Sequence, residues 1–563
     1  MGHFGRHKWG ELAFTVPRLI SPDSGLDGLT DKIFRVFHFD EGLMASWWPA
    51  AVVYQVYPRS FQDSNGDGIG DINGLIQRLP TLEKLGVNTI WLSPIFPSPQ
   101  VDFGYDISDY CDVDPIFGSL DDFSRLIEAA KLRGIRIMMD GVFNHTSASH
   151  PWFVDSLDPA HPKHSWYHWA DTVPNNWGSI FGGSAWSRHP SNGLYYLHSF
   201  DPQQPDLNWL NPEVRSAICS VLRFWFELGV AGFRLDVFNC YAKSENHPNN
   251  PPHSDWWRRV LGFFYPYIGQ KHVHDRDVDS LHEYLSEIRA VADEYDAVLL
   301  GETLDEEFKY EKAATYVNAN ALHGAFHFRL LHSKWSHTDF RTAIQAWLEA
   351  LDDGERPVWA LSNHDFPRLA SRWGDTAVKG SLALLFMLPG VPVLYNGDEL
   401  GMRDGHIKRR EIQDPPGKKH WPFYKGRDGC RTPIYWDSTS NAGFTEGRPW
   451  LPLNPEASTA HCERQQNDPS SVWNWTRHLI QLRQSNPDWV DSPLKWQDSS
   501  SSMLHFYRDG DLEWHFLLNM GQKPCAVGIA GVCKLTNRSV APDDQLKPYE
   551  VLCIPIKKPS RLQ

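Results

Sequence analysis

The sequence predicts a parallel (β/α)8 barrel, the TIM-barrel architecture, with a domain inserted after its third strand and a small antiparallel β domain behind it. Three observations carry this expectation. Apolar runs of strand length alternate with helix-length runs spaced at 3.6 residues, three times and then, after a gap, five times more. The gap, 145–207, is rich in Trp, Pro, Gly, His and Asn, and an aperiodic stretch of that length with so many aromatics reads as an inserted subdomain. The tail beyond about 488 loses the helical rhythm and carries short alternating runs.

In order, 51–57 (AVVYQVY) is a β-rich run, 75–85 has helical spacing despite its proline, 88–93 is a strand, 121–132 a helix and 135–143 a third strand. Alternation resumes with helix 212–228, strand 232–237, helix 280–294, strand 297–302, a short helix near Glu306 and strand 324–328. Helix 342–351, strand 357–362, helix 379–387 and strand 391–395 bring the strands to eight, and helix 471–483 is the last. Eight strand and helix repeats close most economically into a barrel. The runs 505–507 and 514–518 belong to the β domain. The expected domains are therefore an N-terminal extension at 1–43, a barrel at 44–144 and 209–487, the insertion at 145–208 and the β domain at 488–563. The extension is mixed in charge and weakly periodic, which suggests a flexible leader and a natural start at Met44.

Composition excludes several functions. Among 563 residues there are 25 tryptophans, a surplus that suits stacking on sugars. The net charge of −15 and the lack of a basic cluster interleaved with aromatics argue against a nucleic-acid partner. The eight cysteines form no CxxC pair, which argues against a zinc site or a disulfide framework and suggests a reducing compartment. No apolar run approaches the roughly 18 residues of a membrane span, and no signal-like leader is present, so the expected location is cytoplasmic. The oligomeric state is left open, a monomer being compatible with the sequence.

The chemistry concentrates in 232–239, Gly-Phe-Arg-Leu-Asp-Val-Phe-Asn. Arg234 and Asp236 lie two apart on a strand and share a face, and charges inside a core strand are costly unless paired. They form either a structural ion pair or part of an active site. Two further carboxylates fall at strand ends: Glu302 closes Leu-Leu-Gly-Glu, and Asp365 follows the seventh strand in Ser-Asn-His-Asp. Barrel closure gathers such ends at one face, where catalysis sits. Carboxylates without metal ligands in a Trp-rich pocket suit glycoside hydrolysis, in which one attacks or stabilises the anomeric carbon and another protonates the leaving oxygen.

These residues carry a resemblance to the α-amylase family of glycoside hydrolases (family 13), and within it to the α-glucosidase and oligo-1,6-glucosidase branch. Asp-Gly-Val-Phe-Asn-His at 140–145 resembles the first ordered motif of that family, 232–239 the second, Gly301-Glu302 the third and 362–368 the fourth, with Gln-Pro-Asp-Leu-Asn at 204–208 resembling the motif of its inserted domain. The resemblance implies Asp236 as nucleophile, Glu302 as general acid and base, and Asp365 as the carboxylate that grips the sugar hydroxyls. It implies retention of configuration, with nucleophile and acid about 5–5.5 Å apart. It further implies that His145 and His364 bond the glucose, that Arg234 orients Asp236 with Asp140 as partner, and that Tyr105 stacks on the sugar while Asp106 holds its outer hydroxyls. Arg427 resembles the arginine that pairs with Asp106 and closes the pocket. A pocket closed in that way makes the implied enzyme exo-acting on small oligosaccharides.

A separate loop, Asp63-Ser-Asn65-Gly-Asp67-Gly-Ile69-Gly-Asp71, alternates oxygen side chains with glycines, which suits a hard cation such as calcium or magnesium. It is no EF-hand, since the twelfth position is Gly74. It resembles the structural calcium site of the branch, with side chains of Asp63, Asn65, Asp67 and Asp71 and the Ile69 carbonyl as ligands. No organic cofactor is implied.

Two features pull apart on linkage. Val237 after the nucleophile accompanies α-1,6 cleavage in this branch, whereas 272–276 and 409–416 look more like bacterial α-glucosidases acting on maltose-type linkages. The favoured expectation is a general α-glucosidase. An oligo-1,6-glucosidase, a transglucosylase or sucrose isomerase, and an inactive binding relative are the alternatives.

Overall fold

The computed structural model describes residues 45–304, 309–326, 328–498, 502–510 and 512–557. The expectations for 1–43 and Met44, and for a helix at Glu306, fall outside the described residues.

Eight parallel strands close into a barrel: β1 (Val53–Val56), β2 (Thr89–Leu92), β3 (Arg136–Gly141), β7 (Gly232–Leu235), β8 (Val298–Glu302), β9 (Gly324–Phe326), β10 (Val358–Ala360) and β11 (Val391–Tyr395). They pair in sequence order, and β1 meets β11 with Val53 beside Val393 to close the ring. Helices α1 (Ile72–Leu85), α2 (Leu120–Lys131), α3 (Pro212–Glu227), α4 (Leu281–Asp293), α5 (His337–Ala350), α6 (Asp375–Met387) and α7 (Val472–Gln484) surround it. Their ends follow local chemistry. The Asp71 side chain accepts the Gly74 N–H to start α1, and Gly86 in a left-handed conformation, φ 101°, stops it. Ser119 and Asp122 form a reciprocal capping box at α2.

Between β3 and α3 the chain makes a three-stranded antiparallel sheet from β4 (Trp169–Ala170), β5 (Trp186–Arg188) and β6 (Tyr195–Leu197), with β6 central. After α7, strands β12 (Leu494–Trp496), β13 (Met503–Arg508), β14 (Leu512–Asn519) and β15 (Val551–Lys557) form an antiparallel sheet in that order. All eight cysteines are free thiols. Among the described residues no helix is long and apolar enough to cross a membrane.

The period of two along the strands sorts their side chains. Ile137, Met139, Phe233, Leu235 and Leu299 pack outward into the main core with the helices. Met138, Val298, Leu300, Val53 and Trp91 fill the barrel interior. The inward column then turns polar at the C-terminal end: Val53 is followed by Gln55, Met138 by Asp140, and Leu300 by Glu302. That change, two residues per step, builds the floor of a cavity.

Candidate active site

Strand β7 ends at Leu235, so Asp236 is the first residue beyond the ladder, and Val237 has left-handed backbone, φ 37° and ψ 42°. A β-branched residue is strained in that region, and here the turn throws Asp236 and Val237 into a cavity of about 660 Å³ at the C-terminal mouth of the barrel. The sequence expectation ran the strand through Val237. The left-handed turn at Val237 ends the strand two residues earlier, at Leu235.

Arg234 is fully buried and organises the floor. Its Nη1 donates to Asp140 Oδ1 at 2.6 Å and Asp236 Oδ1 at 2.8 Å, and its Nη2 donates to Glu302 Oε2. Asp140 also accepts from Trp91 Nε1 and Tyr105 Oη, each at 3.2 Å. Burial lifts Asp140 to about 6 against the pull of Arg234. Burial likewise lifts Asp236 well above the usual carboxylate range; Arg234 opposes this, and Glu302 and Asp140 add to it. Both carboxyl groups thus converge on one buried guanidinium at the cavity floor.

Asp365 is set differently. Burial works against its charge, but His364, Arg427 and Arg431 outweigh that and hold it well below the carboxylate range. His364 is itself pushed down to about 3 by burial and is neutral at pH 7, so the two arginines carry the effect. Arg431 Nη2 reaches Asp365 Oδ1 at 2.9 Å and Arg427 Nη1 reaches it at 3.2 Å. Gln55 Nε2 lies 2.7 Å from His364 Nδ1. That amide nitrogen donates, which leaves the ring proton on Nε2, facing Tyr105 Oη at 2.7 Å and Asp365 Oδ2 at 3.2 Å. The Tyr105 ring is stacked on the His364 ring, 2° from parallel.

One expected pairing is corrected. Arg427 pairs with Asp102 Oδ1 at 2.7 Å and with Asp414, not with Asp106. Asp106 is fully buried and accepts the backbone N–H groups of Val101 and Asp102, so it shapes the loop, and Asp102 is the residue that lines the cavity. The sequence Asp-Phe-Gly-Tyr-Asp offers two aspartates at 102 and 106, and spacing alone cannot tell which one the turn uses up.

His145 lines the same cavity, with Nε2 on the Tyr105 carbonyl at 2.9 Å. A buried ion pair supports it that sequence reasoning missed. Lys243 Nζ meets Asp206 Oδ2 at 3.1 Å and Asn144 Oδ1 at 3.3 Å, while Asp206 also accepts from Ser199, tying the inserted domain to the loop after β7.

The acidic loop at 63–71 lies apart from this cavity and closes on backbone. Asp63 accepts the N–H groups of Asn65, Gly66 and Gly68, Asn65 accepts that of Asp67, and Asp67 that of Ile69. Gly68, at φ 92°, has no room for a Cβ, which would stand 1.9 Å from the Arg448 carbonyl oxygen. Asp71 accepts from Ser64 and Gly74. Among the described residues no three His, Cys, Asp or Glu side chains converge as a metal site.

Comparison with known proteins agrees with this geometry. Residues 55–492 match the family described as alpha amylase, catalytic domain. A probable alpha-glucosidase of Rhizobium meliloti (strain 1021) is 41% identical over 500 residues, covering 85% of this chain and 90% of that protein. An oligo-1,6-glucosidase of Parageobacillus thermoglucosidasius is 38% identical, covering 78% and 84%. Among solved structures, an alpha-glucosyl transfer enzyme, XgtA, superposes with a TM-score of 0.85 at 38% identity, covering 91% of this chain and 99% of its own.

Proposed function

The chain belongs to the alpha-amylase family of glycoside hydrolases, and on that premise we propose that it is a retaining, exo-acting α-glucosidase that releases terminal glucose from maltose-type and other short oligosaccharides. The observation that carries the reading is the single guanidinium of Arg234 holding Asp236 and Glu302 together at the floor of a cavity that the paired Arg427 and Asp102 also line.

In this reading Asp236 attacks C1 of the bound glucose while Glu302 gives its proton to the departing oxygen. Water then enters, loses a proton to Glu302 and releases glucose with its α configuration kept. Asp365, kept ionised by its arginines, accepts hydrogen bonds from the ring hydroxyls, and Tyr105, His145 and His364 surround the sugar. The paired Arg427 and Asp102 are read as the closed end, which favours removal of one glucose at a time. Val237 stands against the linkage and supports the second reading, an oligo-1,6-glucosidase.

We further propose calcium at 63–71, on the chemistry of an all-oxygen donor set at alternate positions: Asp63, Asn65, Asp67, the Ile69 carbonyl and Asp71 would hold it, and it would supply rigidity to the loop before α1. A reducing, cytoplasmic location is proposed on the eight free thiols. The test of function is product analysis with maltose, isomaltose, sucrose and trehalose in parallel, beside an Asp236→Ala control. Release of glucose that survives in the Asp236→Ala variant contradicts the assignment.

A further inference from the structure

We propose that two surface segments beside the cavity mouth, 255–273 and 408–425, form a docking surface that rests on the headgroups of an anionic phospholipid bilayer. The surface lies outside the reacting groups, and the proposal is independent of which glucoside the enzyme cleaves.

Apolar exposure is concentrated here. Of the thirteen large hydrophobic side chains exposed among the described residues, nine fall in these two segments, with Phe263, Phe264 and Phe423 at 86%, 88% and 97% exposed and Trp256 at 70%. Apolar residues scattered singly over a surface need no partner, but a set gathered on one face marks an interaction surface.

The backbone holds the rings out. The short helix Trp256–Leu261 ends at Gly262, which approaches Gly269 so closely that a Cβ on Gly262 would stand 2.7 Å from the Gly269 Cα. That pinch makes 263–268 a projecting tip, and the Phe264 N–H, donated to the Leu261 carbonyl at 2.9 Å, fixes its backbone. The second segment stands beside it. A Cβ on Gly182 would lie 3.4 Å from the Tyr265 ring and 3.8 Å from Lys419 Nζ; Tyr265 Oη donates to the Ile180 carbonyl, and Lys419 Nζ to the Phe181 carbonyl at 2.6 Å. Phe181 and Tyr424 line the catalytic cavity, so both segments flank its mouth.

Charge selects the occupant. The chain carries −15 overall, yet the two segments together hold nine Lys and Arg against three Asp and Glu. Behind Trp257 a cavity of about 320 Å³ gathers Arg258, Lys271 and Lys312. The one carboxylate among its described lining residues, Asp277, is taken up by Asn239 Nδ2 at 3.1 Å and Tyr316 Oη at 2.9 Å. Aromatic rings that seat at the acyl boundary, with Lys and Arg beside them for phosphates, are the composition of a membrane-surface anchor. A second copy of the chain is a poor occupant, because a two-fold contact sets one cationic face against another.

The test is cosedimentation of the full chain with vesicles of phosphatidylcholine alone and of phosphatidylcholine mixed with phosphatidylglycerol. Binding to the mixed vesicles is expected to exceed binding to phosphatidylcholine by about tenfold or more at low salt, and to fall steeply as salt rises. Phe263→Ser with Phe264→Ser, and separately Arg259→Glu with Lys425→Glu, should each cut binding to the mixed vesicles by about tenfold, with an unchanged melting temperature showing that the variants fold. Where one pair fails to fold, the other pair and the salt series of the parent chain carry the test. No binding, equal binding to the two vesicle types, or binding that both pairs of substitutions leave unchanged overturns the inference. So does a parent chain that sediments without vesicles as a dimer and is made monomeric by Phe263→Ser with Phe264→Ser, since the face then belongs to a second copy.

Discussion

Two groups of acidic side chains sit at opposite ends of the same chemistry. Asp140, Asp236, Glu302, Asp365 and Asp102 are partnered by arginines, whereas Asp63, Asp67 and Asp71 are partnered by backbone N–H groups of their own loop. The first arrangement fixes protonation and aims oxygens into a cavity. The second fixes the path of the chain. Acidic residues of similar sequence prominence thus divide by what they bond, and that division predicts how each set responds to mutation.

The largest expected contrast is between Asp236→Asn and Asp63→Asn. The first should lower kcat by about 10⁴-fold with little change in melting temperature, because it removes the nucleophile and leaves a residue of equal size. The second should lower the melting temperature by about 1–2 °C, from about 1–2 kcal/mol of lost N–H acceptance, and leave kcat unaltered. Activity assays and thermal scans on both variants check the pair, and a kcat loss in Asp63→Asn would break the comparison.

Next in size is Glu302→Gln, expected to cost about 10²–10⁴ in kcat for maltose and much less for an activated aryl glucoside that departs without a proton. Equal losses on the two substrates would remove Glu302 from the acid role.

Arg234→Met should destabilise the fold by about 3–5 kcal/mol, because it strands buried carboxylates whose partner is gone. Denaturant unfolding reads this directly, and the loss should shrink as pH falls, since Asp140, freed from the downward pull of Arg234, takes up its proton more readily than in the parent protein.

A smaller effect concerns pH. His364, depressed to about 3, destabilises the native state as pH falls from about 6.5 toward 3, since the unfolded ring binds its proton first. Through the assay range it stays neutral, so His364→Asn should reduce kcat/KM without moving either limb of the pH profile. A displaced acid limb would show that His364 titrates. Smallest is the cation: chelation should lower the melting temperature by a few degrees and leave kcat on maltose nearly constant, and an unchanged melting curve would mean that the N–H groups alone hold the loop.

Much of this was legible in the sequence because period two and period 3.6 survive in buried strands and amphipathic helices. Strand β11 has the expected bounds, and Asp236, Glu302 and Asp365 stand at strand ends as their motifs suggest. Legibility failed where tertiary closure decides. Asp102 and Asp106 differ only in which one the turn consumes, and Val237 lost its place in the strand to a left-handed turn. Strands β4 to β6, two or three residues each, are too short to show a period. The aromatic walls of the catalytic cavity draw Phe181, Phe200, Phe328 and Phe366 from separate loops, which no local pattern brings together.

The central claim, that one guanidinium holds Asp236 and Glu302 as a retaining pair, is tested most directly by proton NMR of glucose at the first turnovers on maltose. The account predicts α-glucose from the non-reducing end, relaxing afterwards to the equilibrium mixture. β-Glucose as the first product would contradict it.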